Sequence, residues 1–462
     1  MSKTTSALIL AGGSGKRMQS NQPKPMFELL GEPMIEWVLS SCETAGLSDI
    51  CVVTGFGSEI LEDFLNRREK VYPTVLQPKR MGTGHAVMEA RNWLREYVRY
   101  DGDVLVLYGD CPLLGAETIQ HAYKTHCQNE NAVTVITAEA LDPKGYGRII
   151  KDKDKLLGIA EEHELSDNQR TLREVFSGAM WFNIRALLFA LGEIEPNNAE
   201  NEYYLTDTIF ILGQSGYKTG VYKSHNPDII LGADDRRGLL KLNDTIRRKL
   251  IEFHLDNGVE FTCTDGVTVG RKVKLGSGVK IMQGSILSGE TSVGDNTQIG
   301  VNCLIDNCKI GSNCNLNSVQ AYDSTIMDNV SIGPFVRIRP GSIIRNGVKI
   351  GNFVEVKNSD IGEKTAIAHL TYVGDSDVGS GVNFGCGAVT SNYDGKNKYR
   401  TTIEDGAFIG CNTNLIAPVK VGKRGYTAAG STITQDVPDG SLAIERVPTV
   451  IKEGYSDKKL KQ

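Results

Sequence analysis

The chain has 462 residues, enough for two or three domains that each bury a core. Its formal net charge of −5 gives no global electrostatic case for nucleic-acid binding, and its ordinary hydrophobic and charged content argues against disorder. The 50 glycines stand out and demand many tight turns.

The first apolar stretch, Ser6-Ala7-Leu8-Ile9-Leu10, is too short for a signal peptide or a membrane span. The ten cysteines include no Cys-x-x-Cys pair. Together these features predict free thiols in a reducing compartment, hence a cytoplasmic protein.

Apolar runs at residues 6–10, 50–54, 104–107 and 133–137 read as strands. Helical patterns such as 33–44 and 85–97 lie between them. This alternation predicts a mostly parallel, Rossmann-like α/β sheet, which binds ligands at the C-terminal ends of its strands. Leu10-Ala11-Gly12-Gly13-Ser14-Gly15-Lys16-Arg17-Met18 follows the first strand. Its glycines leave backbone N–H groups free to face phosphate oxygens; Arg17 adds a fork-shaped cation and Lys24 a point charge. A plain strand–helix turn would also be glycine-rich. No Gly-Lys-Ser/Thr closes a Walker loop here.

Near Arg236 the pattern changes. Leu239, Leu242, Ile246, Leu250 and Phe253 recur at three- and four-residue steps, which predicts one amphipathic helix of about seven turns bridging two domains. After Gly258 the period becomes six. Val269, Leu275, Ile281, Leu287, Val293, Ile299 and Ile305 keep that step, and the phase resumes at Ile310 after a one-residue deletion. Later copies run from Ile326 to Val356, from Ile361 to Val373 and from Ile409 to Val421, with a protruding loop expected at Tyr393-Asp394-Gly395-Lys396-Asn397. A six-residue period fits neither a helix nor a free strand; it fits a hexapeptide parallel β-helix with each apolar residue stacked on its copy in the next coil.

Within the hexads, His369 interrupts the apolar run beside Ile367. A histidine with an ordinary pKa of about 6.5 suits proton removal from an amine, although one bonded to a backbone carbonyl would look the same. Arg339 and Lys357 lie three hexads apart, so a three-sided coil stacks them. Paired cations suit a phosphate; the alternative is a solvated ladder, in which like charges repel.

Several stretches resemble the nucleoside-diphosphate-sugar pyrophosphorylases: the glycine-rich turn, Gln77 with Gly82-Thr83-Gly84-His85-Ala86, Tyr108-Gly109-Asp110-Cys111-Pro112-Leu113, Gly145-Tyr146-Gly147-Arg148-Ile149, Glu161, and Glu202-Tyr203-Tyr204-Leu205-Thr206-Asp207. With the hexads, nearly the whole chain resembles the family of bifunctional N-acetylglucosamine-1-phosphate uridylyltransferase/glucosamine-1-phosphate acetyltransferases. That resemblance implies an α/β nucleotidyltransferase domain at residues 1–236, a linker helix at 237–257, and a left-handed parallel β-helix of hexapeptide repeats at 258–462. It implies UTP and sugar binding by Leu10, Gly12, Gly13, Gln77, Gly82, Thr83, Tyr108, Gly109, Gly147, Glu161 and Phe176. Arg17 and Lys24 would be catalytic, and Asp110 and Asp234 would hold Mg²⁺. In the second half, His369 would be the base. Arg339, Lys357, Tyr372, Asn383 and Lys398 would hold glucosamine-1-phosphate, and Cys386, Asn392, Tyr393, Cys411, Ala429 and Arg446 would line an acetyl-CoA groove. The partners implied are small molecules and two further copies of the chain, with no nucleic acid and no membrane.

Three positions depart from the family pattern. Asp234 stands where Asn is usual, Phe176 where a small polar residue contacts the sugar, and Lys16 where Thr is usual. Cys386 and Cys411 stand where some relatives have Ala and Ser, placing thiols near a thioester site. Two other readings share this layout: a different sugar-1-phosphate nucleotidyltransferase with a regulatory solenoid, and a non-catalytic scaffold. The His369, Arg339 and Lys357 group argues against the first, and Arg17, Lys24 and Asp110 argue against the second. Phe176 and Asp234 leave open a slow or altered first half beside an active acetyltransferase.

Overall fold

A computed structural model describes residues 4–47, 49–97, 101–153, 155–196 and 201–456; of Lys16 it describes the backbone alone, so that departure lies outside the described side chains. The chain divides into two compact units, Met1–Thr245 and Ile246–Gln462.

The first unit is built on a nine-stranded sheet. Its main path runs Thr219–Lys223, Val133–Glu139, Glu174–Asn183, Asp103–Tyr108, Thr5–Leu10, Asp49–Thr54 and Thr74–Leu76. Leu8, Ile9, Val104, Leu105 and Leu107 are fully buried, as continuous apolar runs in a sheet covered on both faces should be. Strand Thr5–Leu10 pairs in parallel with Asp49–Thr54 and Asp103–Tyr108, with Leu10 opposite Tyr108. The glycine-rich turn and the Gly109-Asp110 turn therefore leave the sheet side by side.

The four expected strands are joined by Glu174–Asn183, which runs antiparallel between Asp103–Tyr108 and Val133–Glu139. Its register breaks between Phe176 and Met180, around Gly178 at φ +84°. A Cβ at Gly178 would stand 2.6 Å from Cys111 Sγ, so the bulge needs glycine for both space and backbone angle.

The helical pattern at 33–44 forms Met34–Thr44, with Pro33 just before it. The pattern at 85–97 forms two helices, Thr83–Glu89 and Arg91–Arg95, because Ala90 leaves helical geometry at φ −83° and ψ 8°. The basic amphipathic stretch is one helix, Arg236–Asp256, of 21 residues. That is about six turns rather than seven at 3.6 residues each.

The second unit is a left-handed parallel β-helix of hexapeptide repeats, with its short strands in three sheets of 11, 10 and 9 strands. Each coil gives one strand to each face. Leu275 pairs with Val293 and Ile281 with Ile299, one coil onward in each case. The one-residue deletion shortens the step at Ser292↔Lys309, and the loop lengthens it at Ser376↔Thr401.

The hexad residues from Val269 to Val421 form the core, with Leu275 partly buried at its edge. Asn296, Asn302, Asn313 and Asn329 turn corners at φ +57°, +53°, +56° and +60°, a region that Asn tolerates. Gly351 meets another limit: a Cβ there would stand 2.0 Å from the Ala368 carbonyl oxygen of the next coil. All ten cysteines are free thiols. Among the described residues, no helix is long and apolar enough to cross a membrane.

Candidate active sites

At the strand ends of the first unit, Leu10, Gly12, Gly13, Lys24, Gln77, Gly82, Thr83, Tyr108 and Asp110 line one cavity of about 250 Å³. Local chemistry fixes several of them. A Cβ at Gly12 would crowd Gln77 Oε1 at 3.2 Å, so glycine lets the turn run against that side chain. Gln77 is buried; its amide donates to the Gly82 carbonyl at 3.0 Å and lies 3.2 Å from His85 Nδ1. Gly82 takes φ +100°, and a Cβ there would come within 2.4 Å of the Tyr203 carbonyl oxygen. Thr83 Oγ1 accepts the Leu205 N–H at 3.0 Å. Gly109 donates its N–H to the Leu10 carbonyl at 2.9 Å and so belongs to the framework beneath the cavity.

The charged centre is the contact of Lys24 with two carboxylates. Lys24 Nζ donates to Asp234 Oδ1 at 2.6 Å and makes a still closer ion pair with Asp110. Arg17 Nη1 lies 3.8 Å from Asp234 Oδ2. Burial alone would lower the Lys24 pKa, but Asp110 and then Asp234 outweigh it and hold the ammonium well above its ordinary value. Burial would likewise raise Asp234, yet Lys24 holds it below the ordinary carboxylate range.

Two carboxylates converging on one point are what Mg²⁺ takes from a protein when phosphate oxygens complete its shell, so this donor set fits that ion. Among the described residues no group of three or more His, Cys, Asp or Glu side chains could hold a metal by itself. A metal here would therefore depend on the nucleotide for its remaining ligands.

Gly147, Glu161 and Phe176 line an adjoining cavity of about 550 Å³ that shares Tyr108, Asp110 and Asp234 with the centre just described. Burial, then Glu161, pushes the Tyr108 hydroxyl pKa up. Phe176 is 8 % exposed and meets the Tyr108 ring edge-on, with centroids 5.8 Å apart and planes at 84°. It thus presents an apolar wall where the resemblance leads one to expect a polar contact.

Sequence reasoning missed Lys79 and Arg80, which line the cleft together with Gly13, Ser14 and Gly15. The signal was a basic pair lodged between Gln77 and Gly82. Glu202, read only as part of a motif, lines all three cavities.

In the second unit, Arg337 pairs with Glu355 and Ile338 with Val356, so Arg339 and Lys357 occupy matching positions on consecutive coils. They do not face each other unbalanced, as the charge argument from sequence supposed. Arg339 Nη1 donates to Glu355 Oε1 at 2.9 Å, and Lys357 Nζ to Asp375 Oδ2 at 3.1 Å. From sequence, Glu355 stands only inside the motif Asn352-Phe353-Val354-Glu355-Val356-Lys357, with no role of its own. Tyr372 lies opposite Glu355 in the next coil, so Arg339, Glu355, Lys357 and Tyr372 share one face.

His369 is exposed and ends strand Ala366–His369 on the adjoining face. The register Ala366↔Asn383↔Phe408↔Tyr426 aligns His369, Cys386, Cys411 and Ala429 as one ladder, a residue per coil. Leu442 follows Tyr426 in the same register, which puts Arg446 just beyond the ladder's end.

Other candidates stand elsewhere. Asn383 begins its strand, three residues before Cys386 and at the opposite edge of that face. Asn392 is buried and donates to Asp375. Tyr393 and Lys398 form an antiparallel bridge at the root of an exposed loop. One chain thus gathers the Arg339–Lys357–Tyr372 face and the His369 ladder, but not Asn383 or Lys398 beside them.

Residues 7–177 match the family described as MobA-like NTP transferase domain, and residues 323–358 match Bacterial transferase hexapeptide (six repeats). The chain is 43% identical over 457 residues to the bifunctional protein GlmU of Acetivibrio thermocellus, covering 98% of this chain and 97% of that one. It is 42% identical to the bifunctional protein GlmU of a Geobacillus species and 39% identical to that of Clostridioides difficile, each over 98% of this chain and 97% of the relative.

Proposed function

The chain belongs to the family of bifunctional GlmU proteins, and from that premise we propose which of its residues carry each of two reactions. The enzyme acts in UDP-N-acetylglucosamine synthesis, as an acetyltransferase on glucosamine-1-phosphate and as a uridylyltransferase on N-acetylglucosamine-1-phosphate.

Uridylyl transfer brings one anion against another and releases pyrophosphate, so positioning and charge neutralisation do most of the work. The backbone N–H groups around Gly12 and Gly13 cradle the triphosphate, with Arg17 and Lys24 as cations. Gln77 reads the uracil. Glu161 and Gly147 hold the sugar, with Tyr108 as a wall. Asp110 and Asp234 hold a Mg²⁺, which when bound neutralises phosphate charge. The observation that carries this half is the convergence of Asp110 and Asp234 on Lys24 at the end of strand Asp103–Tyr108. The apolar contact of Phe176 with Tyr108 favours a second reading of this half alone, as an enzyme with altered sugar preference.

For acetyl transfer, His369 takes a proton from the amine while Arg339 and Lys357 grip the sugar phosphate near Tyr372. Acetyl-CoA lies along the ladder of Cys386, Cys411 and Ala429, with its phosphates toward Arg446 and with Asn392 and Tyr393 at its side. Asn383 and Lys398 come from other copies in a homotrimer, a reading supported by their distance from the His369 edge within one chain.

Two assays test both halves: pyrophosphate released from UTP plus N-acetylglucosamine-1-phosphate, and thiol released from acetyl-CoA plus glucosamine-1-phosphate. His369→Ala should cut thiol release by about 10²–10⁴-fold and spare pyrophosphate release. Asp110→Ala should do the reverse, by about 10²-fold or more. Loss of both activities in either variant would contradict two independent sites.

A further inference from the structure

Asp375 is buried, with 5 % of its surface exposed, and stands at a corner of the solenoid with φ +48°. Its carboxylate takes three side-chain hydrogen bonds. Lys357 Nζ donates to Oδ2 at 3.1 Å, Asn358 Nδ2 donates to Oδ1 at 2.6 Å, and Asn392 Nδ2 donates to Oδ2. The backbone joins the same knot: the Asp375 N–H donates to the Lys357 carbonyl at 2.9 Å, and the Asp375 carbonyl accepts from the Thr401 N–H at 3.1 Å.

Two of these partners lead to different substrates. Lys357 is a cation of the sugar-phosphate face. Asn392 precedes the exposed loop closed by the Tyr393↔Lys398 bridge, and Thr401 receives the chain as it returns to the coil. A non-glycine residue in the left-handed region stores about 1 kcal/mol of strain, and its surroundings must over-determine it. Here they do, through five hydrogen bonds to the coils before and after its own and to both ends of the loop. Many corners of this solenoid use Asn at positive φ, whose neutral side chain suffices to turn the chain, and Asp323, at φ +41°, is exposed where Asp375 is buried. A carboxylate at this corner adds what Asn does not offer, an acceptor pair that clamps an ammonium and an amide together.

We propose that Asp375 is a positioning residue for acetyl transfer: it holds the Lys357 ammonium toward the sugar phosphate and fixes the root of the 393–398 loop beside acetyl-CoA, so that one buried carboxylate aligns both substrates. This rests on the reading of Lys357 and Asn392 given above. The carboxyl is already ionised in the resting enzyme: burial opposes it, but bonds from Asn358, Lys357 and Asn392 hold its pKa below the ordinary range. Asp375 touches no reacting atom and acts through its neighbours.

The test is steady-state kinetics on the full-length protein. Asp375→Asn should raise KM for glucosamine-1-phosphate and KM for acetyl-CoA by about 3- to 10-fold each, change kcat less, and leave pyrophosphate release at the parent value. In a Lys357→Met background the added substitution should no longer affect the sugar-phosphate KM but should still raise the acetyl-CoA KM, because its two arms are separate. The double variant also removes the partly buried cation with its partner, so it keeps the test readable even where Asp375→Asn alone fails to fold. Unchanged KM values in Asp375→Asn, or equal acetyl-CoA KM values in Lys357→Met with and without it, would overturn the proposal. So would a lower melting temperature with no shift in either KM. If the parent protein releases no thiol at all, the functional reading fails instead, and the two failures stay distinct.

Discussion

Phe176 lines the cavity that holds Gly147 and Glu161, with its ring against Tyr108 and its N–H bonded to the Gly147 carbonyl at 3.0 Å. Its backbone is thus tied to the Gly147 wall of the cavity, and on the proposed reading the side chain alone departs from a sugar contact. Phe176→Asn restores a polar group, and one neutral hydrogen bond contributes about 1 kcal/mol, or roughly fivefold in KM. The expected result is a several-fold lower KM for N-acetylglucosamine-1-phosphate, together with a lower melting temperature from the lost aromatic contact. Initial-rate measurements across several sugar phosphates check this, and an unchanged or raised KM would mean that the ring itself recognises the substrate. At this scale the sequence revealed residue types tied to short motifs: the glycines, Arg17, Lys24, Gln77 and Asp110. It did not reveal Lys79 and Arg80, because a basic pair on a surface turn looks like solvated charge until the fold sets it beside Gly13 and Ser14. Nor did it reveal that Glu355 and Asp375 neutralise the stacked cations, since those pairings come from register between coils.

Among elements, the hexads were the most legible because a six-residue period has one structural solution, and each copy repeats the signal. The helix at Arg236–Asp256 was visible for the same reason, while its length was overestimated by a turn. The break at Ala90 and the antiparallel strand Glu174–Asn183 left no periodic mark; both are set by packing across the sheet. Helix Asp207–Gln214 carries a further consequence. Its first residue, Asp207, has a pKa raised to about 6, chiefly by burial and then by Glu164. A raised acid pKa means that the folded state prefers the proton. The associated stability is fully present below the unfolded value of about 3.9 and is lost as pH rises through about 6. Asp207→Asn removes that loss. Its melting temperature should exceed the parent's at pH 8, and the gap should close at pH 4. Parallel thermal scans at the two pH values would decide it, and an equal shift at both would show that ionisation of Asp207 is not the cause.

For the molecule as a whole, the strongest constraint is how far one solenoid spreads its candidate residues. His369 lies at one edge of its face, whereas Lys398 stands on an exposed loop that leaves the coil after Asn392, at a different corner. Phe335, Phe353 and Leu370 add exposed apolar surface beside Glu355 and Tyr372, with the two phenyl rings stacked 5.4 Å apart. Exposed aromatic surface next to a half-built site is what association of identical faces would cover. If each acetyl-transfer site takes its base from one copy and its loop lysine from the next, two inactive variants can rescue each other. His369→Ala and Lys398→Ala should each lose thiol release when assembled alone. Co-expressed and purified together, they should recover about a quarter of the parent activity, the fraction of interfaces that pair an intact His369 with an intact Lys398 under random mixing. Pyrophosphate release should stay at the parent value throughout, which reports that the first unit is intact. Light scattering should give three times the chain mass for every sample. Failure to recover any thiol release, with the trimer mass confirmed, would place His369 and Lys398 in the same copy's site and remove the shared-site reading.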